Sequence, residues 1–147
     1  MPKTRQVAGL DEKGRGYVLT EAVPEVTTGC VLVKVHASLI SPGTEMNAVK
    51  MARAGQDVKG VLPRPFGYQN AGVVVQAGEG VAEFRRGDRV ACMGGAALHT
   101  NWAVVPKNLC AKLPDNVSFE QGAFSHLAMT SLHAVRRGRP ELGEYLL

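Results

Sequence analysis

Two short runs concentrate the side chains able to donate, accept or relay a proton: Ser41-Pro42-Gly43-Thr44-Glu45 and Gly67-Tyr68-Gln69-Asn70. The first places two hydroxyls and a carboxylate close together in the chain. Such groups can donate and accept hydrogen bonds. The same residues also read as a helix start, with Ser41 and Thr44 as caps and Glu45 as an acid favoured by the N-terminal dipole. Tyr68 is a hydroxyl donor or a packing aromatic. Gln69 and Asn70, between a proline-containing approach and an apolar strand, either line a cleft or satisfy its backbone. His126 lies on a helical pattern, where a lone histidine is a structural residue or a proton donor. His36, His99 and His133 read as structural.

Other chemistries are excluded early. Cys30, Cys92 and Cys110 are odd in number, widely spaced and free of any C-x-x-C pattern, so neither a disulfide framework nor a zinc ribbon is expected. They read as small buried hydrophobes. The net charge of +4 has one local cluster, Arg136-Arg137-Gly138-Arg139, placed where a helix C-terminus would welcome it. No aromatic residues interleave with it, so a nucleic-acid surface is not expected. No apolar run approaches the roughly 18 residues of a membrane span, and Met1 to Gln6 has no apolar stretch behind it, so a cytoplasmic protein with no membrane partner is expected.

The elements that must position these groups are mostly strands. Their signals are 45% apolar content, 17 glycines and few aromatics. Arg5 to Leu10 and Gly16 to Ala22 flank a turn at Asp11-Glu12-Lys13-Gly14. Cys30 to Ile40 alternates clearly, with Val31, Val33, Val35, Ala37 and Leu39 on one face and Lys34, His36 and Ser38 on the other. Thr44 is expected to cap a helix over Glu45 to Ala54, with Met46, Val49 and Ala52 on its buried face and Gly55 stopping it. A polar loop follows, and strand character resumes from Phe66 through Val75. Turns at Ala77 to Gly80 and Arg86 to Asp88, the strand Arg89 to Cys92, a Gly94-Gly95 turn and the strand Trp102 to Val105 complete the β pattern. Ser118 and Gln121 form an S-x-x-Q capping box, opening one helix through Ala123, Leu127, Thr130 and Ala134 to about Arg137. Pro140 breaks it, and Gly143 to Leu147 reads as a strand that has only begun. One mainly β domain with short helices, residues 1–140, is expected.

The order Ser41-Pro42-Gly43-Thr44-Glu45, Pro65-Phe66-Gly67-Tyr68-Gln69-Asn70-Ala71-Gly72, Gly87-Asp88-Arg89-Val90 and Leu113-Pro114-Asp115 resembles the medium-chain dehydrogenases/reductases over the whole chain. The resemblance implies a GroES-like, partly open β-barrel, the substrate-side half of a two-domain oxidoreductase. The Ile40 to Glu45 segment resembles the branch of bacteriochlorophyllide hydroxyethyl dehydrogenases and related enzymes. Zinc-dependent members have cysteine at Ser41, Gly-His-Glu at Gly67-Tyr68-Gln69 and often cysteine or an acid near Leu127. Every one of these positions is altered, and the run of four structural-zinc cysteines is absent, so no metal is expected.

The implied reaction is hydride transfer to or from a nicotinamide, NAD or NADP, on an alcohol, a carbonyl or an activated alkene. Ser41, Thr44 and Tyr68 would supply hydroxyls at the cleft and Glu45 a proton relay. Gln69, Asn70 and His126 would line the cleft, and Thr130 would touch the cofactor. No G-x-G-x-x-G is present, and Gly94-Gly95 lies between strands and opens no helix. The Rossmann half is therefore expected in cis or trans beyond a strand begun at 141–147, and this chain alone is not expected to bind the cofactor. Exposed apolar surface where that half would dock would also permit homo-oligomers. The alternative is a stand-alone GroES-like module that binds a small molecule or protein without catalysis.

Overall fold

Alternating apolar residues pair into two sheets in the computed structural model, which describes residues 2–56 and 64–144. The smaller sheet joins β1 (Thr4–Leu10), β2 (Gly16–Ala22) and β4 (Arg64–Pro65) in the order β2-β1-β4. The larger contains β3 (Cys30–Ser38), β5 (Gln69–Ala77), β6 (Arg89–Met93), β7 (Trp102–Pro106) and β8 (Cys110–Lys112), ordered β7-β3-β5-β6-β8. All the pairings are antiparallel. Both sheets are open, and an isolated antiparallel bridge pairs Val7 of β1 with Thr100, two residues before β7. Among the described residues three α-helices, α1 (Pro42–Arg53), α2 (Phe119–Ala123) and α3 (Ser125–Gly138), and a short 3-10 helix at Lys107–Leu109 complete the order. The expected mainly β architecture with short helices is what forms. None of the described helices is long and apolar enough to cross a membrane.

The core follows from the period of two. Val31 and Val33 from β3, Val74 from β5, Val90 from β6 and Val105 from β7 are all fully buried in one cluster with Phe84 and Cys92. Each such valine contributes about 1.5–3 kcal/mol by leaving water. Leu32 is also buried, so both faces of β3 are covered at that point. The strand ends at Ser38 rather than Ile40, and its pairing with β5 is interrupted between Val35 and Ala37, an irregularity that alternation alone does not announce. The ring of His36 stacks on Phe119 there, with centroids 4.5 Å apart.

A second, smaller cluster of Leu10, Val49 and Ala52 seats α1 against β1. Two expectations about this helix are corrected. Its N-cap is Ser41, with Pro42 at the first helical position, because proline's fixed φ and missing N–H suit that position and start the helix earlier than Thr44 would. Its buried face is Glu45, Val49 and Ala52, while Met46 is 42% exposed. With the helix begun at Pro42, the i, i+4, i+7 stripe through the docked Val49 and Ala52 carries the carboxylate inward. The stop at Gly55 forms as expected, with φ of +67°.

The Ser118 capping box also forms: Gln121 N–H donates to Ser118 Oγ at 3.2 Å, and Ser118 N–H donates to Gln121 Oε1 at 2.9 Å. The single helix expected after it is instead two, α2 and α3, separated at Phe124. Gly122 and Ala123 of α2 are buried, whereas no residue of α3 is. Ser125 Oγ donates back to the Gly122 carbonyl at 2.5 Å, competing with the helical ladder at the break. Helix α3 ends with Arg139 in the left-handed region, φ 47°, and Arg136 and Arg137 in its last turn complement the dipole. Of the strand expected over Gly143 to Leu147, Gly143 forms a turn with Leu142 instead and residues 145–147 lie outside the described residues, as does most of the loop expected after α1.

Candidate active site

The site begins with three backbone hydrogen bonds that tie segments distant in sequence. Phe66 N–H donates to the Ala8 carbonyl at 2.9 Å, His99 N–H to the Phe66 carbonyl at 2.9 Å, and Ala8 N–H to the His99 carbonyl at 2.8 Å. The backbone of His99 is thereby held on both sides. Gly67 makes room beside it. Its φ is +113°, and a Cβ built there would lie 2.4 Å from His99 N and 2.9 Å from the imidazole. Only glycine fits, for both steric and conformational reasons. Phe66 meets the imidazole edge-on, with centroids 5.6 Å apart.

The imidazole faces the carboxylate that α1 brings inward. His99 Nε2 lies 2.9 Å from Glu45 Oε1, with the two side chains 9% and 4% exposed. Glu45 Oε2 accepts the backbone N–H of Ser41 at 2.6 Å, and the other imidazole nitrogen, Nδ1, lies 2.9 Å from Ser38 Oγ. Ser38 is exposed. A buried acid is thus linked through one imidazole to a hydroxyl in water.

Glu45 also borders a cavity of about 280 Å³, walled in addition by Thr44, Arg64, Phe66, Tyr68 and Leu98. Thr44, Glu45 and Tyr68, singled out in the sequence, therefore meet at one cavity. Ser41 is buried at the start of α1, and its contribution is its backbone N–H; its hydroxyl makes no capping bond. Gln69 and Asn70 are fully buried on β5 and hold backbone: Gln69 Nε2 donates to the Leu39 carbonyl at 3.3 Å and Asn70 Nδ2 to the Leu98 carbonyl at 2.9 Å. The second bond anchors the residue just before His99. Their carbonyl oxygens, with Nδ1 of His126, are buried and have no partner among the described residues. His126 meets Tyr68 edge-to-face at 5.3 Å. Thr130 is exposed on α3, its hydroxyl donating to the His126 carbonyl at 3.0 Å.

Two members of this site, His99 and Ser38, were not among the residues singled out for chemistry. His99 stands alone in a glycine- and alanine-rich loop, and its partners are 54 and 61 positions away, so no local spacing marks it.

Residues 27–131 match the alcohol dehydrogenase GroES-like domain family. The chain belongs to the medium-chain dehydrogenase/reductase superfamily. It is 30% identical to sorbitol dehydrogenase of Bos taurus over 153 aligned positions, covering 85% of this chain and 42% of that protein. Among solved structures it resembles the quinone oxidoreductase of Coxiella burnetii, with a TM-score of 0.82, 21% identity, and coverage of 97% of this chain and 47% of that one. It also resembles the Escherichia coli quinone oxidoreductase complexed with NADPH, with a TM-score of 0.74, 24% identity, and coverage of 90% and 41%. The chain spans less than half the length of these relatives.

The superfamily includes zinc enzymes, and donor chemistry tests whether zinc fits. The resemblance to the zinc-dependent pattern assigns its ligand positions to Ser41, Tyr68, Gln69 and Leu127. The first three are weak neutral donors and the fourth is none. Both oxygens of the nearby Glu45 are already engaged by Ser41 and His99. Among the described residues no three His, Cys, Asp or Glu side chains gather as a metal site. These residues do not fit zinc.

Proposed function

We propose that this chain is the substrate-side half of a zinc-independent, NAD(P)-dependent oxidoreductase acting on an alcohol/carbonyl pair or an activated alkene. The observation that carries the reading is the meeting of Thr44, Glu45 and Tyr68 at one cavity of a GroES-like domain. The nicotinamide supplies or accepts the hydride. This chain's own part is to hold the reacting oxygen and manage its proton. The hydroxyls of Tyr68 and Thr44 donate to that oxygen, replacing the Lewis acid of zinc enzymes, and water is limited by Phe66 and Leu98. Glu45 exchanges the proton that must enter or leave as the hydride moves. The edge contact of His126 orients Tyr68.

The dinucleotide half is assigned to a separate domain, in cis or trans, because no dinucleotide fingerprint occurs in these 147 residues. Helix α3 supports a docking face for it: Met129, Leu132 and Val135 are each about half exposed along it. Thr130, on the same helix, is assigned to the nicotinamide end. Free thiols at Cys30, Cys92 and Cys110 suit a reducing, cytosolic compartment.

The test is a hydride-transfer assay on the protein carrying this domain together with its dinucleotide half, after dialysis against a chelator. NAD(P)H oxidation should persist with an aldehyde, ketone or enone, and purified protein should hold no stoichiometric zinc. Tyr68→Phe should lower kcat about 100-fold, the scale of losing one oxyanion donor. Loss of turnover on chelation, or turnover unaffected by Tyr68→Phe, would overturn the reading.

A further inference from the structure

We infer that Ser38, His99 and Glu45 form a proton conduit between solvent and the cavity, with His99 as the residue through which the proton passes. The geometry has the property a conduit requires: each of the three protonation states through which the proton passes keeps the hydrogen bonds on both sides of the ring. With Glu45 ionised and His99 neutral, Nε2–H donates to Oε1 and Nδ1 accepts from the Ser38 hydroxyl. With His99 protonated, Nδ1–H donates to the same hydroxyl, which then turns its own hydrogen to water. With Glu45 protonated, its O–H donates to Nε2 and Nδ1–H again donates to Ser38. Serine serves all three states because its hydroxyl both donates and accepts. The distances, 2.9 Å on each side of the ring, are those of direct hydrogen bonds.

One passage outward balances as follows. The O–H bond of Glu45 breaks as an N–H bond forms at Nε2. The Nδ1–H bond breaks as an O–H bond forms at Ser38, and the original hydroxyl proton of Ser38 leaves to water. No electrons are exchanged, and the imidazole is left as its other tautomer, which a ring rotation or a return proton resets.

The placement of the two ends separates this chain from an ordinary buried ion pair. Glu45 is 4% exposed but borders the cavity, while Ser38 is on the surface. Ser41 N–H holds the second carboxylate oxygen, so the first stays aimed at the imidazole. A purely structural pair would need no surface hydroxyl on the far nitrogen.

That the conveyed proton serves a substrate rests on the function proposed above, but the conduit does not, and its test needs neither substrate nor nicotinamide. The imidazole of His99 in the 147-residue chain is followed by ¹⁵N–¹H NMR. In Glu45→Gln the side-chain amide can donate to Nε2 while its carbonyl keeps the Ser41 N–H, so the ring hydrogen should move from Nε2 to Nδ1. Ser38→Val and Ser38→Thr differ by one hydroxyl at nearly equal size, and both suit a strand. The Val variant should slow solvent exchange of the His99 ring hydrogen at least about tenfold, while the Thr variant stays within about twofold of wild type. Equal exchange in all three proteins, or an unchanged tautomer in Glu45→Gln, would overturn the conduit. Failure of the hydride-transfer assay alone would overturn the assigned reaction instead.

Discussion

Single atoms decide whether this site exists. A methyl group on residue 67 would occupy the space of His99 N and its ring, at a φ that side chains avoid. Gly67→Ala is therefore expected to destabilise the fold by about 2–4 kcal/mol in urea titration and to broaden the His99 resonances. His99→Ala fails for a different reason. It leaves a carboxyl group 4% exposed with no imidazole partner, and a loss of about 1–3 kcal/mol is expected in urea titration. The sulfur of Cys110, 3.7 Å away, and burial together push the Cys92 thiol up. Because the thiolate is the reactive form, native-state alkylation read by mass spectrometry should modify Cys92 last of the three cysteines.

At the scale of elements, α1 brings the chemistry inward and α2 anchors the C-terminal helices. Removing the capping box with Ser118→Ala should cost about 1 kcal/mol, seen as a shift of the thermal midpoint, while the His99 signals stay in place because α2 lies outside the cavity wall. Both helix boundaries depend on residues legible in the sequence, Pro42 and Ser118, yet only the second stands apart from competing caps. Thr44 and Ser41 are both good caps in isolation, and the choice between them fell to proline at the first helical position. That one shift decides which face of α1 is buried, exchanging Met46 for Glu45. The break at Phe124 had no comparable marker, since the helical pattern of Ala123, Leu127 and Thr130 runs through it without interruption.

Across the whole molecule, charge joins the turn before β6 to the edge strand β8. Lys112 Nζ lies 2.9 Å from Asp88 Oδ2, and this contact, with the Arg85 N–H as second cause, holds the Asp88 carboxyl below the ordinary carboxylate range. The folded state then binds this proton less readily than the unfolded state. Stability from Asp88 is complete above the unfolded value of about 3.9 and is lost as pH falls through the lower folded value. Asp88→Asn should remove that part of the acid dependence, so that denaturation midpoints of variant and parent converge as pH falls below about 4.

Alternation of Val31, Val33 and Val35, the glycine turns and the Ser118 box determined the strands, the mainly β class and one helix start, because each is a local rule acting over a few residues. The donor types at 41, 68 and 69 are likewise legible, since donor chemistry belongs to the side chain itself. Tertiary structure decided which hydroxyls and acids meet. Glu45 and His99 lie 54 positions apart, and their contact depends on the docking of Val49 and Ala52 near Leu10, on the Ala8–Phe66–His99 backbone bonds and on the missing side chain at Gly67. No periodicity encodes such a meeting, because it is the packing of segments far apart in sequence that brings those side chains to one place.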